Sequence, residues 1–213
     1  MFTGIIAGTG TVLEIAPTDL PGVTRLVIDA GDLTADLPEG GSLAVSGVCL
    51  TSVDATDPRL FTTELMGETM ECTCLGALEP GSRVNLERCV PADGRLDGHV
   101  VQGHVDATGT VVAAEDEGGW RRLRVSFPAH LAGQIATKGA IAVDGVSLTV
   151  TATSAPEAEP WFEVGLIPAT LETTTLGEAG VGRVVNLETD VLAKYVARLL
   201  AVGRAGQAEG ADS

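Results

Sequence analysis

Basic residues are scarce in this chain: 13 Lys and Arg stand against 29 Asp and Glu, which gives a formal net charge of −16. A surface of this sign repels nucleic acid and anionic membranes, so we expect neither as a partner. The chain also lacks a basic cluster and a Gly-rich phosphate loop, which argues against a polyphosphate substrate. The simpler explanation of the charge is an acidic surface that keeps the protein soluble.

Long apolar runs and a leader segment are missing as well. No stretch reaches 18 apolar residues, so no membrane span is predicted. The opening MFTGIIAGTG has no positive region and no long apolar core, unlike a signal peptide. The four cysteines, Cys49, Cys72, Cys74 and Cys89, have no CxxC spacing, so we expect free thiols in a reducing compartment and a cytoplasmic location.

What the sequence does contain is an internal repeat. Four segments recur in the same order at nearly constant offset, which indicates a tandem duplication. The matching pairs are residues 9–12 with 108–111 (TGTV), 45–51 with 143–149 (VSGVCLT, VDGVSLT), 65–76 with 166–177 (LMGETMECTCLG, LIPATLETTTLG), and 84–87 with 185–188 (VNLE).

Each half has the pattern of short β-strands, with β-branched apolar segments bounded by Gly, Pro and Asp. This predicts a closed barrel or a sandwich in each half, with short helical turns near 33–37 and 128–135. We place the N-terminal domain at residues 1–95 and the C-terminal domain at residues 96–189, joined near VPADGRL (90–96).

A helix with no counterpart in the first half is predicted at residues 190–203. Asp190 is a candidate N-cap and Gly203 a candidate stop. Its apolar residues form one stripe, which either packs on its own barrel or forms an oligomer contact. The stripe consists of Val191, Leu192, Tyr195, Val196, Leu199 and Leu200. The tail at 204–213 is predicted to be disordered.

Candidate chemical groups are few. His99 and His104 lie five residues apart in DGHVVQGHVD, a spacing that points two strand residues to opposite faces. With no third ligand near them and no hydrolase or nucleotide motif in the chain, no metal is expected. A histidine such as His99, alone on a strand, is more often structural than catalytic.

The two halves differ in their reactive residues. Ser42, Ser46, Cys49, Gly40 and Ile5 become Ala140, Asp144, Ser147, Lys138 and His104, whereas the Gly, Leu and Thr residues around them persist. Two similar pockets with different chemical equipment suit two similar ligands in different roles. Ordinary drift between duplicates at surface sites is the alternative.

An ordered set of motifs resembles the riboflavin synthase family of the trimeric, duplicated kind. The set runs from MFTGII through SGVCLT, LMGET, GHVVQGHVD, AVDGVSLT and LIPATLETTTLG to VNLETD, and covers the chain from Met1 to about Leu200. The resemblance implies an all-β fold with two similar six-stranded antiparallel Greek-key β-barrels in tandem plus a C-terminal α-helix. It also implies a homotrimer with its active site between subunits, and it leaves open an association with lumazine synthase.

The resemblance implies the reaction and the sites too. Two molecules of 6,7-dimethyl-8-ribityllumazine would give riboflavin and 5-amino-6-ribitylaminouracil by transfer of a four-carbon unit, with no cofactor. The implied contacts of the first pocket are Phe2, Thr3, Gly4, Ile5, Ile6, Ser147, Leu148, Thr149, Gly165, Leu166, Ile167, Pro168, Ala169 and Thr170. Those of the second are Cys49, Leu50, Thr51, Glu64, Leu65, Met66, Gly67, Glu68, Thr69, Gly103, His104 and Val105, with Lys138 from another chain.

Chemical roles follow from these residue types. His104 is the candidate base for the acidic C7 methyl group of the lumazine. Ser147, Cys49 and Ser42 are candidates to activate or trap the partner lumazine. Asp144 and Asp190 are candidates to orient groups or relay protons, although a helix cap explains Asp190 equally well.

The extreme N-terminus is expected to be functional, so that deleting residues 1–3 would abolish turnover with little loss of melting temperature. The chain departs from the family at Gln102, where serine is common, and at Ala169, where a larger polar residue often stands. Two other functions compete with the enzyme: a lumazine- or flavin-binding antenna protein on the same fold, and a barrel scaffold without a ligand.

Overall fold

A computed structural model describes residues 1–211, with side-chain environments for residues 1–203. The first repeat forms six antiparallel strands in the order β4-β3-β6-β1-β2-β5. Its strands are β1 (Gly8–Pro17), β2 (Val23–Asp29), β3 (Ser42–Val45), β4 (Val48–Thr51), β5 (Leu60–Met66) and β6 (Arg83–Arg88).

The second repeat has the same strand order and closes into a barrel, β10-β11-β8-β7-β12-β9. Its strands are β7 (Ala107–Asp116), β8 (Arg121–Ser126), β9 (Ala140–Val143), β10 (Val146–Thr153), β11 (Trp161–Leu166) and β12 (Val184–Thr189). In the first repeat, an isolated antiparallel bridge between Asp54 and Thr62, beyond the end of β4, joins that end of the sheet to β5. The predicted fold class is thus confirmed, with complete closure in the second barrel.

Short helices follow the fifth strand of each repeat: α1 (Gly67–Cys72) and α2 (Pro168–Thr173). Four 3-10 helices complete the repeats, at Gly31–Thr34, Cys74–Ala77, Ala129–Gln134 and Thr175–Glu178. No helix in the part of the chain that the structure describes is long and apolar enough to cross a membrane.

The C-terminal helix α3 spans Val191–Ala211. Its N-cap is the predicted one, since the Asp190 carboxylate accepts a hydrogen bond from Leu192 N at 2.9 Å. The predicted end at Gly203 is wrong, because helix continues to Ala211 through most of the predicted disordered tail. Residues 204–211 contain three alanines, the best helix formers, together with Gly206 and Gly210, each of which costs about 1 kcal/mol in a helix. Residues 212 and 213 lie outside the described residues.

Strand β6 is buried on both of its faces. Val84 and Leu86 point into the core of the first barrel, whereas Asn85 and Glu87 point the other way and are buried as well. This second face is buried because it packs against the other barrel. Asn186 and Glu188 repeat the arrangement on β12.

The two barrels pack around a pseudo-two-fold axis. Tight turns at residues 46–47 and 144–145 join the third and fourth strands of each repeat, with positive φ at both central residues, as in type I′ turns. The turns touch each other, and a Cβ added to Gly47 would lie 2.6 Å from Gly145 N. Between the barrels lies a small apolar cluster of Phe2, Ala44, Val101 and Ala142.

Candidate active site

The segments that precede β1 and β7 cross over to the opposite barrel. Gly4, at the start of the first repeat, accepts a hydrogen bond from Ser147 N of the second barrel at 2.8 Å. Gly103, its equivalent, accepts one from Cys49 N of the first barrel at 2.9 Å. Each candidate pocket is therefore bordered by residues of both repeats.

Both crossing points require glycine. Gly4 and Gly103 have φ values of 75° and 80°, a region that L-residues with a side chain rarely adopt. A Cβ on Gly4 would lie 2.6 Å from Ser147 Cβ, and one on Gly103 would lie 2.5 Å from Cys49 Cβ. The backbone must therefore approach the neighbouring strand closely to place residue 5 or residue 104 beside the pocket.

Two buried carboxylates, which the sequence interpretation missed, hold these crossing segments. Glu87 accepts hydrogen bonds from Thr3 N, Thr3 Oγ1 and Gly4 N at 2.7–3.0 Å. Glu188 accepts from the backbone N–H groups of Gln102, Gly103 and His104 at 2.7–2.9 Å. Their sequence signal was the repeated VNLE motif, in which Asn and Glu alternate with core residues.

Burial raises the pKa of the Glu87 and Glu188 carboxyls, while the hydrogen bonds from the crossing segments oppose that rise. Lys194 opposes it further at Glu188. Each carboxylate thus depends on the crossing segment for the hydrogen bonds that a buried charged group requires.

A pocket of about 270 Å³ lies at the first barrel. It brings together seven of the residues assigned to the second contact set, namely Cys49, Met66, Glu68, Thr69, Gly103, His104 and Val105, and adds Val48, Cys72 and Thr73. The side chains of Leu50 and Leu65 belong to the barrel core instead, and Thr51 and Glu64 are exposed.

The other contact set gathers at the second barrel. Ser147 and Leu148 lie on β10 beside Gly4, and Ile6 packs on that barrel's core. Gly165 and Leu166 end β11, where Leu166 is buried, and Ile167 is exposed just before α2, which carries Pro168, Ala169 and Thr170. Thr3 and Ile5 also border an open cleft of about 450 Å³, together with Arg88 and Arg95.

His99 and Ser147 form a hydrogen-bonded pair, with His99 Nδ1 2.7 Å from Ser147 Oγ. Burial lowers the pKa of His99, against an opposing effect of the Asp190 charge. Its Nε2 is buried without a hydrogen-bond partner among the described residues. The imidazole of His99 is thus placed to orient the Ser147 hydroxyl. Because both residues come from the second repeat and lie 48 positions apart, the repeat pattern gave no sign of their pairing.

Cys49 has a different environment from its counterpart Ser147. Burial raises the pKa of the Cys49 thiol, and a hydrogen bond with Ser42 only partly offsets this. The thiolate is the nucleophilic form of cysteine, so burial disfavours the form of Cys49 that would act as a nucleophile. Ser42 and Cys49 lie on the adjacent strands β3 and β4.

Asp144 lies away from both pockets, in the contact between the barrels. It is almost fully buried and accepts a hydrogen bond from Asn186 N at 2.8 Å, with Arg183 at 3.3 Å. Burial raises the pKa of Asp144, an effect that Arg183 opposes. Asp144 is thus placed to support the turn between β9 and β10, and Asp190 caps α3 close enough to influence His99.

Lys138 lies in the turn before β9 with a φ of 70°, where the first repeat has Gly40 at 81°. Its backbone N–H donates to Val150 O at 2.8 Å, and its side chain is exposed. Lys138 is absent from the lining of the first-barrel pocket of its own chain. Within residues 1–203 no three His, Cys, Asp or Glu side chains converge on a potential metal position; the expectation of a metal-free site stays a prediction from the sequence.

Comparison with known proteins bears directly on this geometry. The lumazine binding domain family matches twice, at residues 3–89 and 102–190. The riboflavin synthase of Mycobacterium tuberculosis (strain H37Rv) is 51% identical over 94% of this chain and 98% of its own length. That of Bacillus subtilis (strain 168) is 38% identical over 94% of this chain and 90% of its own.

The chain belongs to the riboflavin synthase family. Among solved structures, LumP in complex with riboflavin superposes with a TM-score of 0.77 at 26% identity, over 89% of this chain and 99% of LumP. LumP in complex with 6,7-dimethyl-8-(1'-D-ribityl)lumazine gives a TM-score of 0.76 at 25% identity, with the same coverage. The two family matches coincide with the two barrels, so each barrel is a lumazine-binding domain by descent.

Proposed function

We propose that this protein is a riboflavin synthase that converts two molecules of 6,7-dimethyl-8-ribityllumazine into riboflavin and 5-amino-6-ribitylaminouracil. The observation that carries the proposal is the 51% identity to the mycobacterial riboflavin synthase over nearly the whole of both chains. The four-carbon unit that one lumazine loses is the unit that the other gains, so the atoms balance without an oxidant or other co-substrate. The enzyme then has to bind two rings and move protons between them.

The difference between the barrels supports distinct donor and acceptor roles. His104, on the crossing segment, lines the pocket that contains Cys49, and we assign to it the removal of the proton from the C7 methyl group. At the other barrel the equivalent residue is Ile5, whose side chain has no group that can accept or donate a proton. There, the hydroxyl of Ser147, oriented by His99, serves to activate or trap the second lumazine.

In this proposal, much of the rate acceleration comes from the way the protein holds the two lumazine rings. Two rings held face to face react as if within one molecule, and such preorganisation can supply about 7–11 kcal/mol. The two pockets of one chain belong to different barrels. We therefore propose that the productive pair of rings lies between a first barrel of one subunit and a second barrel of its neighbour, with Lys138 contributed across that interface.

A homotrimer is part of the same proposal. Most of the apolar stripe on α3 is exposed in the single chain: Leu192 and Leu199 are each 71% accessible, whereas Val191 is half-buried. Most of the stripe therefore does not pack on its own barrel. Exposed apolar stripes of this kind are typical of contact surfaces. A chain that ends at Asp190 should sediment as a monomer with folded barrels; a trimer of unchanged stability would contradict the proposal. An association with lumazine synthase stays a prediction of the resemblance.

The competing function is a lumazine- or flavin-binding antenna protein, which the likeness to LumP favours. The LumP matches are 25–26% identical, against 51% and 38% for the riboflavin synthases, so we prefer the enzyme. Mixing pure protein with the lumazine separates the two. The longer-wavelength absorption of riboflavin should grow with time, whereas stable binding without turnover would indicate the antenna protein, and no spectral change a barrel without a ligand.

A further inference from the structure

The backbone of His104 is held from both sides by side chains that follow it by more than eighty positions. Its N–H donates to Glu188 Oε2 at 2.8 Å, and its carbonyl accepts a long hydrogen bond of 3.4 Å from Lys194 Nζ. Glu188 belongs to β12 and Lys194 to the first turns of α3. Both contacts use the main chain of His104, so its imidazole stays free to face the pocket.

Lys194 is itself anchored by the carboxylate of Asp106. Its ammonium lies 2.8 Å from Asp106 Oδ1, and the other oxygen of Asp106 accepts from Thr189 N at 2.8 Å. The Lys194 and Asp106 side chains are only 23% and 19% exposed, so solvent screens their attraction less than that of a surface pair. Lys194 therefore joins α3, the end of β12 and the segment that carries His104.

The repeat shows which part of this arrangement is specific to His104. Glu87 holds the crossing segment of the first repeat much as Glu188 holds that of the second. The counterpart of Asp106 is Ala7, however, and α3 has no counterpart in the first repeat. If the lysine contact served only to anchor a crossing segment, the segment that carries Ile5 would need one as well.

We propose that Glu188 and Lys194 are positioning residues that hold His104 in the first-barrel pocket, and that Lys194 makes this placement depend on α3. The proposal rests on the proposed function, because it takes His104 as the base. Since α3 also presents the exposed apolar stripe, the same helix that offers a subunit contact fixes the reactive histidine of its own chain.

The kinetic test compares Lys194→Met, which keeps the length of the side chain and removes its charge, with Lys194→Arg, which keeps the charge. We expect Lys194→Met to lower kcat about tenfold, within the range that a displaced catalytic group produces, with lumazine affinity changed less than about threefold. Lys194→Arg should recover most of the loss. Arg198→Met, which removes an exposed positive charge one turn later on α3, is the matched control and should leave kcat unchanged.

A double-mutant cycle decides whether Lys194 acts through His104. In the His104→Gln background, Lys194→Met should lower kcat further by less than about twofold, because the group that it positions is gone. Glu188→Gln, whose amide turns a donor toward backbone N–H groups, should show the same dependence on His104. Equal fold losses in both backgrounds, or loss of the trimer in Lys194→Met by sedimentation, would overturn the proposal.

A measurement without substrate keeps this result separate from the proposed function. With ¹³C-labelled histidine, the His104 ring signal should shift or broaden in Lys194→Met and stay in place in Arg198→Met. An unchanged signal in both would refute the positioning role. If wild-type protein fails to turn over the lumazine, the proposed function falls, and the ring signal alone decides the placement of His104.

Discussion

Phe2 and Val101 occupy equivalent positions in the two repeats, and they bond to each other. Phe2 N donates to Val101 O at 2.8 Å, and Val101 N donates to Phe2 O at 3.1 Å. A residue pairs with its own repeat equivalent only on a pseudo-two-fold axis. Both side chains are buried in the cluster between the barrels, so the N-terminus is part of the contact between the barrels.

Replacing Phe2 by Ala should therefore destabilise the protein. Phe2 has no accessible surface, and loss of a buried Phe side chain costs about 3–5 kcal/mol of unfolding free energy. This revises the expectation that deletion of residues 1–3 leaves the melting temperature nearly unchanged. Urea denaturation gives the measurement, with Leu20→Ala, at a 59% exposed site, as control. A loss below about 1 kcal/mol, well short of that range, would contradict the buried position of Phe2.

Replacing Gly103 by Ala should destabilise the protein more than the same change at Gly22. Both glycines have positive φ, at 80° and 75°, so both substitutions carry the backbone strain of about 1–2 kcal/mol. Only at Gly103 would the new Cβ meet the backbone of Cys49, at 2.8 Å from its N. Overpacking typically adds about 1–3 kcal/mol. Urea denaturation measures the unfolding free energy of both variants. Equal losses would show that the crossing segment shifts to accommodate the added methyl group.

His104→Gln and Cys49→Ser should differ in their effect on the reaction. Removing a general base typically costs 10²- to 10⁴-fold in rate, and we expect this loss for His104→Gln with lumazine binding retained. Cys49→Ser copies Ser147 and keeps a hydrogen-bonding group, so its effect should be partial. Single-turnover kinetics and binding of both variants test this. A loss of less than about threefold for His104→Gln, far below that range, would make His104 a structural histidine.

Alkylation should distinguish the cysteines. Burial raises the pKa of the Cys74 thiol strongly, beside the charge of Asp144, and burial also raises the pKa of Cys49. Because the thiolate reacts, iodoacetamide at neutral pH should label the exposed Cys72 well before Cys74. Peptide mass spectrometry over time measures the order. Labelling of Cys74 as fast as that of Cys72 would mean that the contact between the barrels opens readily.

His99 should make the protein less stable in acid. Its pKa is lowered by burial, so its neutral form favours the folded state above the pKa of the unfolded chain, about 6.5. That contribution is lost as the pH falls through the folded pKa. His99→Gln should therefore weaken the fall in unfolding free energy below about pH 6.5. His130→Gln, at an exposed site, is the control; a parallel effect in both variants would contradict the assignment.

The sequence singled out several residues of the candidate site because repeat equivalents survive as motifs. Gly4, Gly103, Cys49, Ser147 and His104 all came from comparing the two halves or from the resemblance. Glu87 and Glu188 were visible as motif residues but could not be assigned, since what they bond to lies more than eighty positions away. Lys194 and His104 are likewise 90 positions apart, and His99 and Ser147 are 48 apart, so neither pairing could be read from a local pattern.

Taken alone, the sequence determined the duplication, the β-rich halves, the family, and a C-terminal helix with an apolar stripe. These properties reside in local patterns: alternation, turn residues and repeated motifs. The tertiary structure alone decided that the crossing segments exchange between barrels, that Asp144 lies in the barrel contact, and that α3 touches the segment of His104. A pattern along the chain constrains neighbours in sequence, whereas these contacts depend on how two folded barrels bury their remaining polar groups against each other.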